Sequence, residues 1–281
     1  MNSGLEQQRA MTVMAIALTF GSGVADVASF TRLGGVFTSV MTGNIVLWGL
    51  AAARGSLTLF SHAAVSISGY IVGVAAGALI AHRVKTAAGD GAPLLESHVS
   101  WVLRSELILL AGFTIGWEVS ATRPTGWAQF GLLAVLAAAM GMQSSAVRDM
   151  GMSEVSTTFL TGTLTGLVAS AVRPGQPTAH RLRKSGVLIG LAAGASLCGL
   201  LVATAAAAVP ALLLAAVLTT VVAAANPARF APRASRPPRA SVPAPEQVPA
   251  PASAPEPVTG SPDHGGQGRA NQDGSNQDRS S

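Results

Sequence analysis

Apolar residues occur along the chain in eight long runs, and most charged residues lie in the segments between them. A bilayer core needs about 20 helical residues, with a tolerated range of about 17 to 25. The runs lack the alternating pattern that half-buried strands would show. The pattern therefore predicts an all-α, polytopic integral membrane protein with the lipid bilayer as its partner. The runs are Met11–Phe30, Thr38–Ala53, Ala63–Ala81, Trp101–Ser120, Ala128–Val147, Ser156–Val172, Ser185–Val209 and Ala211–Asn226.

Two of these runs, the second and the sixth, differ from the others. Each is about 16 residues long and carries a polar Thr-Gly step in its first half. That length lies at the lower limit for a helix that crosses a bilayer. The eighth run is also short, but it is uniformly apolar. We therefore expect about six transmembrane helices plus two short or re-entrant Thr-Gly segments.

Composition agrees with a membrane protein and excludes several function classes. Charged residues make up 11% of the chain, against roughly 25% in soluble domains, which excludes an ordinary soluble enzyme. The single cysteine, Cys198, excludes an internal disulfide framework and a Cys-ligated zinc site. The basic residues are scattered between apolar runs, so the basic charge does not indicate a nucleic-acid partner.

The composition changes near Pro227, which divides the chain into two parts. Residues 227–281 hold 11 of the 16 prolines and almost no large apolar side chains. Such a segment cannot bury enough surface to offset the entropy of ordering it. We expect a membrane domain over residues 1–226, followed by a disordered Pro/Ala/Ser-rich tail over residues 227–281.

An internal repeat is visible in the membrane domain. Thr42-Gly43-Asn44 recurs as Thr161-Gly162-Thr163, 119 positions later. A row of glycines four residues apart also recurs, 117 positions later, in the same order. Two matches at nearly one offset predict two copies of one unit, over about residues 1–120 and 121–226. The two rows are Gly69, Gly73 and Gly77, and Gly186, Gly190 and Gly194.

Basic residues indicate the topology, because cytoplasmic loops carry an excess of Lys and Arg. Eight full spans with an inside N-terminus put 5 basic residues outside and 11 inside, leaving out the far-tail Arg269 and Arg279. If the two Thr-Gly segments enter and return, the split is 3 outside and 13 inside. This favours six spans, with both termini and the loops 83–104 and 173–184 in the cytoplasm. Each copy then has three spans, so the second is inverted, a design common among transporters.

The Thr-Gly steps are the main candidates for a solute site. Irregular backbone within a membrane is tolerated only where protein or water covers it. A half-helix that begins at Asn44 or Thr163 would direct free N–H groups and a partial positive charge at the break, which suits a small polar or anionic solute. The alternative is that these small residues only allow close helix packing. The predicted substrate-binding residues are Asp26, Thr42, Gly43, Asn44, Gln143, Thr161, Gly162 and Thr163.

Asp26 lies about 16 residues into the first apolar run. An ionisable group at that depth is costly and is usually paired or lines a pathway. It is either a proton or cation site or a cap near the interface. Gln143 and Ser144 occupy the matching region of the second copy and are uncharged, so proton coupling would be asymmetric.

Other chemistries find little support in the sequence. The glycine rows place small residues on one helix face, which predicts close helix packing. The five histidines are dispersed and lack metal-ligand spacing, and the chain has no hydrolase motif. We therefore expect no enzymatic activity, no cofactor and no metal.

Longer motifs around these residues resemble one family. The first signature consists of Gly23-Val-Ala-Asp26-Val-Ala-Ser-Phe30, Leu33-Gly-Gly-Val-Phe37 and Met41-Thr-Gly-Asn-Ile-Val-Leu-Trp-Gly49. The second consists of Gly141-Met-Gln143-Ser-Ser-Ala146-Val-Arg148 and Thr161-Gly-Thr163. They are similar to those of the YoaK-like bacterial membrane proteins, although Ser144 stands where we expect Asn. The resemblance covers about residues 10–225. It implies a bacterial inner-membrane protein with about six spans, and no activity, since the family is a domain of unknown function.

The leading hypothesis is a secondary transporter or permeation pathway whose site lies between the two repeats, with Asp26 as a coupling group. The second hypothesis is a non-transporting membrane scaffold or sensor, in which the same residues only pack helices. An intramembrane enzyme ranks third, because no nucleophile–base pair is visible in the sequence. A polar, water-accessible cavity joining the two breaks would favour transport, and a dry, filled interface would favour the scaffold.

Overall fold

A computed structural model describes residues 2–88, 94–149, 160–172 and 178–224, and every regular element in these residues is helical. The predicted tail lies outside the described residues. The two 13-residue helices, α2 and α6, correspond to the two Thr-Gly segments. The helices are α1 (Asn2–Arg32), α2 (Met41–Ala53), α3 (Leu57–Ala88), α4 (Leu94–Val119), α5 (Gly126–Asp149), α6 (Leu160–Val172), α7 (Thr178–Thr204) and α8 (Val209–Ala224), with a 3₁₀ turn at Ala206–Ala208 before α8.

Five of these helices are long and apolar enough to cross a membrane, and Ala206–Val221 is a shorter apolar segment. The predicted all-α, polytopic fold class is confirmed. The five spans are Met11–Arg32, Leu57–Ala87, Val99–Val119, Gly126–Asp149 and Leu182–Thr204.

The spans differ in how deeply they are buried. About 67% of the α1 and α5 spans lies inside the bundle, against 22% of the α3 and α7 spans. Large apolar side chains on the outer helices face outward, such as Ile71 on α3 and Ile189 on α7. Apolar exposure of this kind suits a lipid environment. The bundle therefore has α1 and α5 at its centre and α3 and α7 at its periphery.

The central helices pack most extensively on the peripheral ones, α1 on α7 and α5 on α3. At Gly23 of α1, a Cβ would overlap the Leu191 carbonyl of α7. At Gly141 of α5, a Cβ would overlap the Tyr70 carbonyl of α3. Glycine permits the close backbone approach at both places. In each pair the residue numbers of successive contacts increase along both helices, so the two helices run parallel.

The two central helices run in opposite directions. We call the end of the bundle where α1 finishes, at Arg32, the upper end, and the other the lower end. At the upper end, Gln129 in the first turn of α5 donates to the Arg32 carbonyl over 2.9 Å. Nearer the lower end, Gln143 donates to the Leu18 carbonyl over 3.4 Å. The start of α5 thus lies beside the end of α1.

These directions determine the path of the first short helix. The His62 imidazole, near the start of α3, lies 3.1 Å from the Gln129 amide oxygen, so α3 begins at the upper end. The connection that contains α2 therefore starts at the end of α1 and returns to the same end of the bundle. In the described chain, α2 belongs to a segment that enters and returns.

The second short helix lies in the corresponding connection at the lower end. Lys85 at the end of α3 faces Asp149 at the end of α5, with 3.9 Å between Nζ and Oδ2. Gly186, in the first part of α7, lies against Ile16 near the start of the α1 span. The chain therefore leaves α5 and enters α7 at the lower end, and α6 lies between them. The two short helices occupy connections at opposite ends of the bundle.

The last helix returns to the lower end. The Trp117 indole donates to the Ala206 carbonyl over 3.0 Å near the upper end. Val221, close to the end of α8, packs on the buried cluster that contains Ala15 and Leu18 of α1. The membrane domain thus begins and ends on one side.

Candidate functional site

The loop between α1 and α2 reverses direction and runs back along α1. Gly34 and Gly35 turn the chain with φ of +101° and +75°, conformations that side-chain-bearing residues rarely adopt. A Cβ on Gly34 would overlap the His62 ring, which fits closely over the turn. Ser29 of α1 donates to the Val36 carbonyl over 2.8 Å. Residues 36–40 are thereby returned into the bundle before α2 begins at Met41.

Asp26 holds the returning part of this loop. Its Oδ1 accepts the backbone N–H groups of Thr38, at 2.9 Å, and Ser39, at 2.8 Å. The Ser39 hydroxyl donates to Oδ2, and the Thr38 hydroxyl lies 3.4 Å from Oδ1. Asp26 is 8% exposed and sits about 9 Å below the upper end of α1, counting about 1.5 Å per residue.

The carboxylate of Asp26 therefore lies beside the N-terminus of α2. An anion is stabilised by the partial positive charge there and by hydrogen bonds from backbone N–H groups. From the sequence, an anionic solute is expected at the N-terminus of a half-helix that begins at Asn44. In the structure, the protein's own carboxylate occupies it.

Asn44, in the first turn of α2, completes the same arrangement. Its amide oxygen accepts the Phe37 N–H over 2.8 Å, and its amide nitrogen donates to the Phe37 carbonyl over 2.6 Å. The amide nitrogen also donates to the Ser66 hydroxyl of α3 over 3.0 Å, and that hydroxyl donates to the Phe37 carbonyl. Asn44 is fully buried, so it links the loop, α2 and α3.

Thr42 and Gly43, the other residues of the first Thr-Gly step, are less buried than Asn44. The Thr42 side chain is exposed. A Cβ on Gly43 would lie 3.3 Å from the Phe37 ring, so the position is tight without being closed. The structure therefore brings Asp26 and Asn44 together around one loop and leaves Thr42 outside.

Gln143 lies where the two central helices cross. The Ser22 hydroxyl of α1 donates to its amide oxygen over 3.3 Å, and its amide nitrogen donates to the Leu18 carbonyl. Gln143 is 4% exposed. It forms a polar contact between α1 and α5, deeper in the bundle than Asp26.

The second Thr-Gly step is more open. Thr161 and Gly162 of α6 are exposed, and Thr163 is buried. A Cβ on Gly162 would meet nothing within 4 Å. While α2 packs mainly on α3, α6 packs on α7, with Gly166 close to the Lys184 side chain. The predicted site residues thus fall into separate groups at opposite ends.

The glycine rows lie at helix contacts, in a register that differs from the sequence match. Gly69 lies against the Ala134 carbonyl of α5, and Gly190 lies against the Ile16 carbonyl of α1. Gly73 and Gly194 make the next pair of contacts. By these contacts Gly69 corresponds to Gly190. The sequence match paired Gly69 with Gly186, which lies one helical turn earlier.

One buried acid, Glu106 of α4, was missed by the sequence analysis. It has no exposed surface, and neither carboxyl oxygen has a hydrogen-bond partner in the described chain. The signal was present, because Glu106 lies inside the fourth apolar run, where an ionisable group marks a candidate functional position.

Comparison with known proteins agrees with the resemblance in the motifs. The chain matches the family described as "Protein of unknown function (DUF1275)" over residues 14–225. The "UPF0700 transmembrane protein YoaK" of Bacillus subtilis (strain 168) is 31% identical over 151 residues. This alignment covers 54% of the chain and 63% of the relative, so the chain spans less than two thirds of the relative's length. No solved structure matches the chain. The chain is therefore a member of the YoaK-like DUF1275 family of proteins, whose function is unknown.

Proposed function

We propose that the protein is a secondary transporter of a small polar or anionic solute in the cytoplasmic membrane. The observation that carries this proposal is the pair of short helices in connections at opposite ends of a bundle whose two central helices are antiparallel. Interrupted segments that enter from both sides, in two halves of opposite direction, characterise carriers with inverted repeats. A scaffold has no evident need for this arrangement.

Repeated contacts support the inverted repeat that the proposal requires. Gly23 meets the backbone of Leu191 and Ala195, and Gly141 meets the backbone of Tyr70 and Val74. The same contact is thus made twice. In the central helices the matching glycines are 118 positions apart, and in the peripheral helices the residues that they meet are 121 positions apart. If α1, α2, α3 and α4 are exchanged with α5, α6, α7 and α8, the main helix pairs map onto one another.

The transport cycle would move the two halves against each other around the crossing of α1 and α5. In this conformation Asp26 and Asn44 are bonded within their own chain, so these bonds must break before either side chain can bind a solute. An anionic solute would compete with Asp26 for the N–H groups of Thr38 and Ser39. Asp26, once released, would be a coupling group. Asp26→Asn is expected to alter the pH dependence of uptake.

A direct test uses the purified full chain. A thermal-shift screen of small polar and anionic solutes should find one that raises the melting temperature, since a ligand at 100 times its Kd stabilises the native state by about 2.7 kcal/mol. Uptake of that solute into proteoliposomes should then saturate and should be absent from empty vesicles. Absence of both stabilisation and uptake across the screen would contradict the carrier.

A non-transporting scaffold remains the second candidate, and one observation favours it. The carboxylate of Asp26 and the amide of Asn44 are satisfied by the loop that they hold, as in a purely structural role. A groove of about 490 Å³ between α3, α4 and α5 is lined almost wholly by apolar side chains. Under this alternative, Asn44→Ala lowers stability and changes the binding of no solute.

The proposed topology has its own test. Arg54, after α2, and Lys85, near the end of α3, are both exposed, and they lie at opposite ends of the bundle. In a Cys198→Ser background, a membrane-impermeant thiol reagent applied outside cells should label Arg54→Cys and leave Lys85→Cys unlabelled, because the lower end carries most of the basic residues. Outside labelling of Lys85→Cys would contradict a cytoplasmic lower end.

A further inference from the structure

Glu106 is an ionisable group within a membrane-spanning helix for which the fold provides no evident partner. It lies seven residues into the span Val99–Val119, about 10 Å from the lower end. It is fully buried, and both carboxyl oxygens lack a hydrogen-bond donor in the described residues. Asp26 is also a buried acid, yet it accepts two backbone N–H groups and a serine hydroxyl. Both acids are buried, but Asp26 has hydrogen-bond donors and Glu106 has none in the described residues.

The nearest buried residues along α4 on either side of Glu106 are apolar. One turn below it on α4, Val102 and Leu103 belong to one buried cluster, and one turn above it, Leu110 belongs to another. Thr220 of α8 is buried, but its hydroxyl donates to the Val217 carbonyl of its own helix.

Glu106 also lies at the level of the crossing between the two halves. Gly116 of α4 lies against Leu132 of α5, and these helices run in opposite directions. Glu106 lies ten residues before Gly116 on α4, and Met142 lies ten residues after Leu132 on α5. Because the helices are antiparallel, Glu106 lies at the level of Met142, the neighbour of Gln143. The unpartnered acid therefore sits in the layer where α1 and α5 cross.

In the described residues, no charged side chain bonds to either carboxyl oxygen of Glu106. Those on α3 and α5 cluster at the helix ends, His62 is bonded to Thr58 and Gln129, and Arg104 and Glu118 on α4 itself are exposed. The described part of α8 carries no ionisable side chain. The end groups are His82, Arg83, Lys85, Arg148 and Asp149.

We propose that Glu106 is a proton-binding site, and that in this conformation it holds a proton as a neutral carboxylic acid. An isolated carboxylate in an apolar interior costs far more than a neutral acid, and ionisable groups inside membranes mark proton pathways. A metal cation does not fit, because hard cations take about six or more oxygen ligands and the described residues contain no cluster of three or more His, Cys, Asp or Glu side chains.

The reaction is a simple dissociation. When the halves move and water reaches Glu106, the O–H bond of the carboxylic acid breaks, the carboxylate keeps the electron pair and the proton passes to water. Rebinding from the other side reverses the step. The bound proton follows from this conformation alone, whereas its role as the coupling proton rests on the proposed transport function.

The first test counts protons and needs no solute. In weakly buffered detergent solution at pH 7, unfolding exposes Glu106, which ionises because an unfolded glutamate has a pKa of about 4.3. Wild type should release about one proton per chain more than Glu106→Gln, which has nearly the same shape but no proton to lose. Glu118→Gln, an exposed acid on the same helix, should match wild type. Equal release from wild type and Glu106→Gln would overturn the proposal.

A second measurement keeps the proposal testable if Glu106→Gln does not fold. Infrared spectra of folded wild type at pH 7 should show the carbonyl band of a protonated carboxylic acid, shifted by exchange into D₂O. The band should persist in Asp26→Asn and be lost in folded Glu106→Gln. Absence of the band from wild type would overturn the assignment.

The coupling role is tested separately. In proteoliposomes that take up a solute found by the thermal-shift screen, Glu106→Gln should abolish accumulation driven by a pH gradient while keeping solute exchange. Full gradient-driven accumulation by Glu106→Gln would remove Glu106 from the coupling. If wild type transports no solute, the carrier proposal fails, and the proton count still decides whether Glu106 binds a proton.

Discussion

The two short helices share a Thr-Gly step, but the structure anchors them in different ways. The first is held by Asp26 on α1, Asn44 on α2 and Ser66 on α3, all bonded to the loop that precedes it. The offsets of the repeated contacts carry Asp26 to Ser144 and Ser66 to Val187, and the Thr-Gly match pairs Asn44 with Thr163.

At two of these positions, those of Asp26 and Ser66, the matching residue is of a different kind. The Ser144 hydroxyl donates to the Met140 carbonyl of its own helix, and Val187 is a buried apolar residue. The hydrogen bonds that hold the loop before α2 thus start from side chains that Ser144 and Val187 do not reproduce. We therefore expect substitutions at the anchors of α2 to cost more stability than the matched substitutions.

The largest difference in stability between the matched positions should come from the replacement of Asp26. Asp26→Ala leaves the buried N–H groups of Thr38 and Ser39 without an acceptor, and hydrogen bonds to a charged group contribute about 1.5–3 kcal/mol each. We expect a loss of at least about 3 kcal/mol, seen as a clearly lower melting temperature in detergent. The matched change in the second half, Ser144→Ala, should cost less than about 0.5 kcal/mol. Equal losses would show that Asp26 does not anchor the loop.

The asparagine should come next. Asn44→Ala leaves the Phe37 N–H and carbonyl with fewer partners, and an unsatisfied buried polar group costs about 1–3 kcal/mol. Its counterpart Thr163→Val should cost about 1 kcal/mol or less. Melting curves of the two variants measure the difference. A larger loss in Thr163→Val would reverse the comparison.

The two glycines of the steps should differ by a smaller amount. In Gly43→Leu the added side chain must displace the Phe37 ring, and overpacking of this kind costs about 1–3 kcal/mol. Gly162→Leu extends into open space and should change stability by about 0.5 kcal/mol or less. Denaturant midpoints of both variants test this pair. A strongly destabilised Gly162→Leu would reveal a neighbour of α6 that the comparison leaves out.

The tail should contribute least. Removal of residues 233–281 takes away no large apolar side chain apart from a few valines, so the melting temperature of the membrane domain should be unchanged. A drop of several degrees in the truncated chain would mean that the tail binds the membrane domain and that the two halves do not account for stability by themselves.

Part of the site was predictable from residue type and depth alone. Asp26 stood out because a charge inside an apolar run is costly, and Glu106 carried the same signal. The partners of these acids were not predictable. Asp26 meets Thr38 and Ser39 only because Gly34 and Gly35 reverse the chain. Neither carboxyl oxygen of Glu106 meets a donor in the described residues, which depends on how the helices around α4 pack.

The sequence by itself determined the helical class and the two short segments, and it predicted the division into copies. Each of these depends on local hydrophobicity and on spacing along the chain, which can be read without a fold. The start of α2 at Met41, three residues after the run begins at Thr38, required the tertiary structure, because Asp26 and Asn44 hold the intervening residues in the loop. The register of the glycine rows also required the tertiary structure. Glycines four residues apart look the same after a shift of one helical turn, and only the backbone of the facing helix decides which glycine meets which carbonyl.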